Sequence, residues 1–334
     1  MMNKTYRRIF NGILKVGLFA LVGMFIYMQV ADGDKWNSTQ SAFLQGFNEQ
    51  RLPWLLIAIL LIFVNLGVES FKWKFLMAKV LPITWLRAVE SVLAGLAAGM
   101  ITPGRIGDMG GRALLFRNKV SWRAIYPAVI NSLSLNLSIL LFGCLAAGYF
   151  LSTGALLSQG GIFLFAIGGL TAFGILFMLF FQLDDILKAL AHLEMPISWK
   201  KKLLIWAGAF EMFGGRILLR ALFYSSIRLL IFTFQFYCLL VFFQGSIPMV
   251  PAIAAIWLIY LVQVGIPIPP VLDVFARGGI ALFFLKSLQI NELATLSATF
   301  SLWLLNIVLP ALVGYLILFK TKYQKSSLNA PVSS

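Results

Sequence analysis

The feature that most limits the fold of this chain is a series of apolar stretches, each long enough to cross a lipid bilayer. A transmembrane helix needs about 20 apolar residues. Because 60% of the residues are hydrophobic and only 12% are charged, the sequence predicts an all-α polytopic membrane protein. We expect one integral membrane domain at 1–320 and a short polar tail at 321–334. The six predicted spans are residues 9–30, 52–71, 124–151, 161–183, 219–244 and 293–319.

The basic residues indicate orientation rather than nucleic-acid binding. The formal net charge is +15, but Lys and Arg cluster between the apolar stretches and leave no basic soluble face. Lys4, Arg7 and Arg8 precede the first span, whereas the loop after it is richer in Asp and Glu. The positive-inside rule therefore predicts a multi-pass protein of the cytoplasmic (plasma) membrane with both termini inside.

Two shorter apolar pieces are interrupted by proline and glycine. Residues 88–101 end at "TPGRIGD" and residues 249–266 end at "PIPPVLD". Such interruptions are typical of re-entrant helices, although ordinary loops between full spans also contain these residues. Charge counting predicts that the first pair of pieces enters from the cytoplasm and the second from the opposite face. The sequence thus predicts two broken helix pairs in an inverted repeat with halves at roughly 52–151 and 219–319.

Both interruptions carry the same charged pattern. In "PGRIGDMGGRALLF" and "PPVLDVFARGGIALFF", a proline is followed by an aspartate and then, four residues later, by an arginine. Residues four apart share a helix face and can pair. Each charge facing lipid would cost roughly 2.5 to 3.5 kcal/mol, so these side chains should face each other or a polar cavity. The candidate substrate-binding residues are Arg105, Asp108, Arg112, Asp273 and Arg277.

The surroundings of the first pair favour a phosphate ligand. Pro103 suits the first turn of a helix, and the neighbouring glycines leave backbone amides accessible. Arg105 and Arg112 would add guanidinium groups, which can bind phosphate through two hydrogen bonds.

Other polar residues in the apolar stretches are less specific. Asn131, Ser134 and Ser138 share one helix face, where they either line a polar groove or bond a neighbouring helix. We include Asn131 among the candidate binding residues. Glu69 and Glu90 are expected to pair with basic residues at the membrane surface rather than to relay protons. Arg228 lies deep in a span, and the sequence assigns it no role.

The segment "TPGRIGDMGGRALL" resembles the transmembrane family of lysylphosphatidylglycerol synthetases, with Asp108 where the family usually has Glu. The resemblance implies a flippase-like domain that moves an anionic or aminoacylated phospholipid between leaflets. Two departures are evident. The second motif reads "PIPPVLDVFARGG" instead of Pro-Gly-Gly-x-Gly followed by Glu, and Asn131 and Asn136 stand where acidic and basic residues are common. The soluble aminoacyl-transfer domain of bifunctional relatives is not expected here.

The sequence therefore favours a lipid flippase that binds a phosphate-bearing headgroup of a phospholipid or polyprenyl-phosphate lipid. A membrane-embedded enzyme acting on such a lipid is one alternative, and a scaffold for a lipid-modifying enzyme is another. No catalytic constellation, metal-ligand spacing or cofactor motif is recognisable in the sequence. The prediction is accordingly a non-enzymatic protein with no cofactor and no nucleic-acid partner.

Overall fold

The computed structural model describes residues 49–100, 102–116, 123–154, 159–266 and 269–328. The described part of the chain is all-helical, with 85% of its residues in helices. The helices are α1 Leu52–Met77, α2 Trp85–Gly99, α3 Ile106–Leu114, α4 Ile125–Thr153, α5 Gln159–Phe181, α6 Leu183–Ala191, α7 Ile197–Glu211, α8 Gly215–Gln244, α9 Met249–Val264, α10 Pro270–Lys286, α11 Glu292–Trp303 and α12 Leu309–Leu328. A 3₁₀ turn at Pro103–Arg105 precedes α3, and a π-helical turn at Leu304–Val308 joins α11 to α12.

Four helices in the described part of the chain are long and apolar enough to cross a membrane. They are Leu52–Met77, Ile125–Thr153, Gly215–Gln244 and Glu292–Lys320, which correspond to four of the predicted spans. The predicted span at 161–183 corresponds to α5, which bends by 78° into α6. The predicted first span at 9–30 lies outside the described residues. The protein is therefore a multi-pass membrane protein.

The first helix break has a local cause in the sequence. A residue before proline avoids the helical region, and Thr102 is accordingly extended at φ −102° and ψ 133°. The Thr102 hydroxyl accepts a hydrogen bond from the Gly107 amide at 2.8 Å, which satisfies an amide at the start of α3. The break therefore restarts the helix in a new direction, and α3 returns along α2.

A proline also marks the second helix break. Helix α9 ends at Val264, and α10 begins with Pro270 at its first turn, where a missing amide hydrogen costs nothing. Both predicted interruptions are thus real ends of helices.

The helix pairs pack in a reciprocal pattern. Helices α1 and α8 lie against each other at the centre. The α2–α3 pair packs against α12 from the other end of the chain, and the α9–α10 pair packs against α4. The α2–α3 pair is therefore held by the last long helix of the chain, and the α9–α10 pair by the long helix α4.

Small residues permit the closest of these approaches. A Cβ on Gly111 would lie 2.5 Å from the carbonyl oxygen of Ala94, so α3 reaches α2 only because residue 111 is glycine. A Cβ on Gly314 in α12 would collide with the carbonyl of Leu93 in α2. Close packing of small residues is a principal source of helix association in membranes.

We expect Gly314→Ala to destabilise the folded protein by about 1–3 kcal/mol, because the added methyl group forces α12 away from α2. The unfolding temperature in detergent should fall accordingly. Gly168→Ala is the matched control, since a Cβ on Gly168 meets nothing within 4 Å. Equal unfolding temperatures for the two variants would show that α12 does not pack on α2 at this position.

Candidate functional site

The carboxylate of Glu69 in α1 is the centre of a buried polar site. Its Oε1 accepts hydrogen bonds from Nη2 of Arg112 at 2.6 Å and from Nδ2 of Asn131 at 2.9 Å. Its Oε2 accepts one from Nη1 of Arg228 at 2.8 Å and lies 3.4 Å from Nζ of Lys72. This single carboxylate therefore connects α1 to α3, α4 and α8.

We call Glu69, Lys72, Asp108, Arg112 and Arg228 the charge cluster. Asp108 joins it through Arg112, whose Nη2 lies 3.1 Å from Oδ2 of Asp108, so the pairing predicted from the four-residue spacing is present. The side chains of Glu69, Lys72 and Arg112 are at most 3% exposed, whereas Asp108 is 18% exposed. Asp108 therefore lies at the edge of the charge cluster.

The charge cluster carries more positive than negative groups. Three cations, Lys72, Arg112 and Arg228, face two carboxylates, so the formal charge is 3 − 2 = +1. The Arg112 guanidinium lies over the ring of Trp73 at 5.0 Å, and its Nη1 is buried without a hydrogen-bond partner among the described residues. Such a surplus of positive charge in a low-dielectric site attracts an anion.

A chain of amides continues from the charge cluster between α1, α8 and the π-helical turn. Nε of Arg228 donates to Asn65 at 3.0 Å, and Asn65 donates to Asn306 at 3.3 Å. Asn306 in turn donates to Gln235 at 2.9 Å. A cavity of about 20 Å³ lies beside these groups, lined by Asn65, Glu69, Arg228 and Asn306 together with apolar residues. This volume is sufficient for one water molecule.

Proline explains why Asn306 lies in a π-helical turn. Pro310 has no amide hydrogen, so the carbonyl of Asn306 cannot receive the usual helical hydrogen bond. Single π-helical turns within α-helices occur frequently at functional sites.

The polar face of α4 bonds neighbouring helices. Besides the Asn131 bond to Glu69, the hydroxyls of Ser134 and Ser225 lie 2.8 Å apart, and those of Ser138 and Ser226 lie 3.2 Å apart. Of the two interpretations open from sequence, the structure thus shows helix–helix bonding.

The second aspartate–arginine pair forms a separate site. Nη2 of Arg277 donates to Oδ2 of Asp273 at 2.8 Å. Asp273 also accepts a hydrogen bond from Gln263 in α9, and the Arg277 guanidinium lies 6.0 Å from the ring centre of Tyr260. Among the described residues, no ion pair joins these side chains to the charge cluster.

Arg105 lies where the two helix breaks approach each other. The Pro103–Arg105 turn packs against α10, and Val274, the residue after Asp273, belongs to an apolar cluster that includes Met100. Arg105 is half-buried and has a φ of 57°, which is uncommon for a residue other than glycine. It forms no ion pair with any residue that the structure describes, and it lies within electrostatic range of Arg228. Strained backbone of this kind is frequent at ligand sites.

The sequence interpretation of Glu69 was wrong. Glu90 does pair with Arg87 on an exposed face, at 3.0 Å, but Glu69 is 1% exposed and lies inside the protein. Helix α1 continues to Met77, so Glu69 and Lys72 lie within it rather than at its end. The signal that identifies this face is the spacing of Asn65, Glu69 and Lys72, which follow a helical repeat of four and three residues.

Replacing Glu69 with Gln should destabilise the protein by roughly 3–5 kcal/mol, because three buried cations lose the carboxylate that they share. Thermal unfolding in detergent measures the loss. Glu90→Gln removes an exposed carboxylate and should cost at most about 1 kcal/mol. If both variants unfold at the temperature of the native protein, Glu69 is not the centre of the site.

The comparison with known families agrees with the motif and with the helical architecture. Residues 12–280 match the family described as lysylphosphatidylglycerol synthase TM region. No curated protein and no solved structure matches the chain. Since the match covers most of the sequence, the chain belongs to the lysylphosphatidylglycerol synthase TM region family.

Proposed function

We propose that the protein is a lipid translocase that binds a phosphate-bearing headgroup between its two broken helix pairs. The observation that carries this proposal is the packing of the Pro103–Arg105 turn against α10. This contact brings Arg105, in the first break, next to the helix that holds Asp273 and Arg277. Membership of a lipid-handling membrane family supports a lipid as the ligand.

The charges of the site support a phosphate as the recognised group. The charge cluster has a formal surplus of one positive charge, and Arg105 adds another near its edge. Arg can donate two parallel hydrogen bonds to a phosphate. A phospholipid and a polyprenyl-phosphate lipid both carry this group while their chains remain in the bilayer.

The candidate residues then divide into two roles. Arg105 and Arg277 contact the headgroup, since Arg105 has no ion pair among the described residues and Arg277 has an unsatisfied Nε. Asp273 orients Arg277. In the first half, Asp108 holds Arg112 in position and Asn131 holds Glu69. The positive charge of Arg112 attracts the headgroup without contacting it.

We further propose that the two halves form an inverted repeat that moves the headgroup by rocking. The helix packing supports this. The broken pair of the first half, α2–α3, packs against α12, the last helix of the second half, and the broken pair of the second half, α9–α10, packs against α4, the last helix of the first half. Inverted repeats with broken helices place substrate sites where the breaks meet, near the centre of the membrane. In this arrangement α2–α3 opens to the cytoplasm and α9–α10 to the opposite face of the plasma membrane, with both termini inside.

We expect Arg105→Gln to slow headgroup translocation about 10- to 100-fold, the equivalent of losing one charged hydrogen bond worth roughly 1.5–3 kcal/mol. The measurement is leaflet transport of fluorescent phospholipids and of a polyprenyl phosphate in vesicles containing the purified protein. Arg87→Gln is the control, since Arg87 is exposed and pairs with Glu90. Equal rates in Arg105→Gln and the native protein, or no transport by the native protein, would refute the proposed function.

The orientation can be tested with single cysteines in a background where Cys144 and Cys238 are replaced. Cysteine at Lys79, in the exposed loop between α1 and α2, should react with a membrane-impermeant thiol reagent only after the cells are permeabilised. Cysteine at Lys286, which is 74% exposed near the end of α10, should react in intact cells. Labelling of both positions from the same side would contradict the inverted arrangement.

A further inference from the structure

The charge cluster holds three cations and two carboxylates in a largely buried place. Lys72 and Arg112 are buried along with Glu69, and Arg228 is 9% exposed. A buried charge without a counter-charge is expensive in a low-dielectric environment, and a group that can change protonation does so instead. One member of the charge cluster therefore has a physical reason to lose a proton when no anion is present.

Only one member can remove the surplus in this way. Arg112 and Arg228 cannot, because a guanidinium remains protonated in proteins. Glu69 and Asp108 are carboxylates whose oxygens receive hydrogen bonds from cations, and protonating either would increase the surplus. A buried lysine exchanges its proton readily. Lys72 is therefore the member of the charge cluster that can lose a proton and remove the surplus charge.

The groups around Lys72 suit both protonation states. Nζ lies 2.9 Å from Oγ of Ser225, 3.4 Å from the carbonyl oxygen of Asn131 and 3.4 Å from Oε2 of Glu69. The ammonium can donate to all three oxygens. The neutral amine can instead accept a hydrogen bond from the Ser225 hydroxyl, because a hydroxyl is both a donor and an acceptor. Ser225 in turn lies 2.8 Å from the hydroxyl of Ser134, where either oxygen can donate.

The charged surroundings of Lys72 come from every helix packed around it. Helix α1 contributes Glu69, α8 contributes Arg228, and α3 contributes Arg112 and, through it, Asp108. The Pro103–Arg105 turn contributes Arg105, which lies within electrostatic range of Arg228. Helix α4 contributes the uncharged Asn131 and Ser134. On α2, Arg87 and Glu90 pair with each other on the exposed face. The net charge around Lys72 therefore changes when an anion binds next to Arg112 and Asp108.

We propose that Lys72 is a proton-exchange site that couples uptake of the anionic headgroup to uptake of one proton. This inference rests on the proposed function. Without a bound anion the amine is neutral and the charge cluster has no net charge, so Arg105 is the positive group that first attracts the headgroup. When a headgroup with one negative charge binds, hydronium or a buffer acid in solution gives up a proton that adds to the lone pair of Nζ. The same N–H bond breaks and the proton returns to solution when the headgroup leaves. Lipid and proton thus move together, and a proton gradient drives the transport.

The coupling predicts a proton count that can be measured directly. Titrating the detergent-solubilised protein with dihexanoyl phosphatidylglycerol, a short-chain lipid with one negative charge, should take up close to one proton per bound lipid from a weakly buffered solution. Lys72→Met has a permanently neutral side chain and Lys72→Arg a permanently charged one. Neither variant should take up a proton with the lipid that it binds, whatever its affinity for the lipid. Lys74→Met, an exposed change on the same helix, should behave like the native protein.

The same variants give a second readout in vesicles. A pH difference of one unit should shift the steady-state leaflet ratio of a fluorescent phosphatidylglycerol about tenfold in the native protein, which is the ratio for one proton per lipid. The ratio should not respond to pH in Lys72→Met or Lys72→Arg. Lipid binding without proton uptake by the native protein would overturn the coupling while leaving the proposed function intact. Absence of binding and of transport would overturn both.

Discussion

The arrangement of this protein depends on one carboxylate that is shared by three cations inside a membrane domain. Glu69 receives hydrogen bonds from Arg112, Asn131 and Arg228 and lies next to Lys72. These partners belong to helices far apart in the chain, so the position of Glu69 fixes how α1, α3, α4 and α8 sit relative to one another. A carboxylate has lone pairs for about four donors, and Glu69 accepts three hydrogen bonds with the ammonium of Lys72 3.4 Å away. Its surroundings leave little freedom for the helices to slide.

The broken helix is what allows the charge cluster to form. An uninterrupted span through residues 85–114 would carry Arg112 away from Glu69, whereas the turn at Pro103 sends α3 back along α2. The return is close because glycine occupies position 111 and alanine positions 94 and 98. The proline and glycine of a local helix break therefore determine a contact between residues 69 and 112. The strained backbone at Arg105 is a consequence of the same turn.

Features that depend on contacts within one helix could be predicted from the sequence, whereas contacts between distant helices could not. Four spans, both helix breaks and the two aspartate–arginine pairs were predictable, because length, proline and a four-residue spacing act within a single helix. Glu69 was misplaced because the partners of its two shortest ion pairs, Arg112 and Arg228, come from other helices. Charge counting along the chain assigns an acidic residue near a run of Lys to the membrane surface, and only the end of α1 at Met77 shows that this residue is inside. The functions of the candidate residues stay predictions.

The two halves correspond in helix packing but differ in polarity, and this difference bears on mechanism. The first pair, Asp108 and Arg112, is anchored by Glu69 to helices of both halves. The second pair, Asp273 and Arg277, is supported by Gln263 and Tyr260, which both lie on the adjacent α9. The α2–α3 pair is therefore tied to the centre of the protein by charged contacts, while the described polar contacts of the second pair remain within α9–α10. An alternating motion costs least where the fewest buried ion pairs must be broken, because each unpaired charge in a low-dielectric site is unfavourable by several kcal/mol. If the protein moves a headgroup as proposed, we expect α9–α10 to shift more than α2–α3, and Arg105, at the contact between them, to respond to that shift.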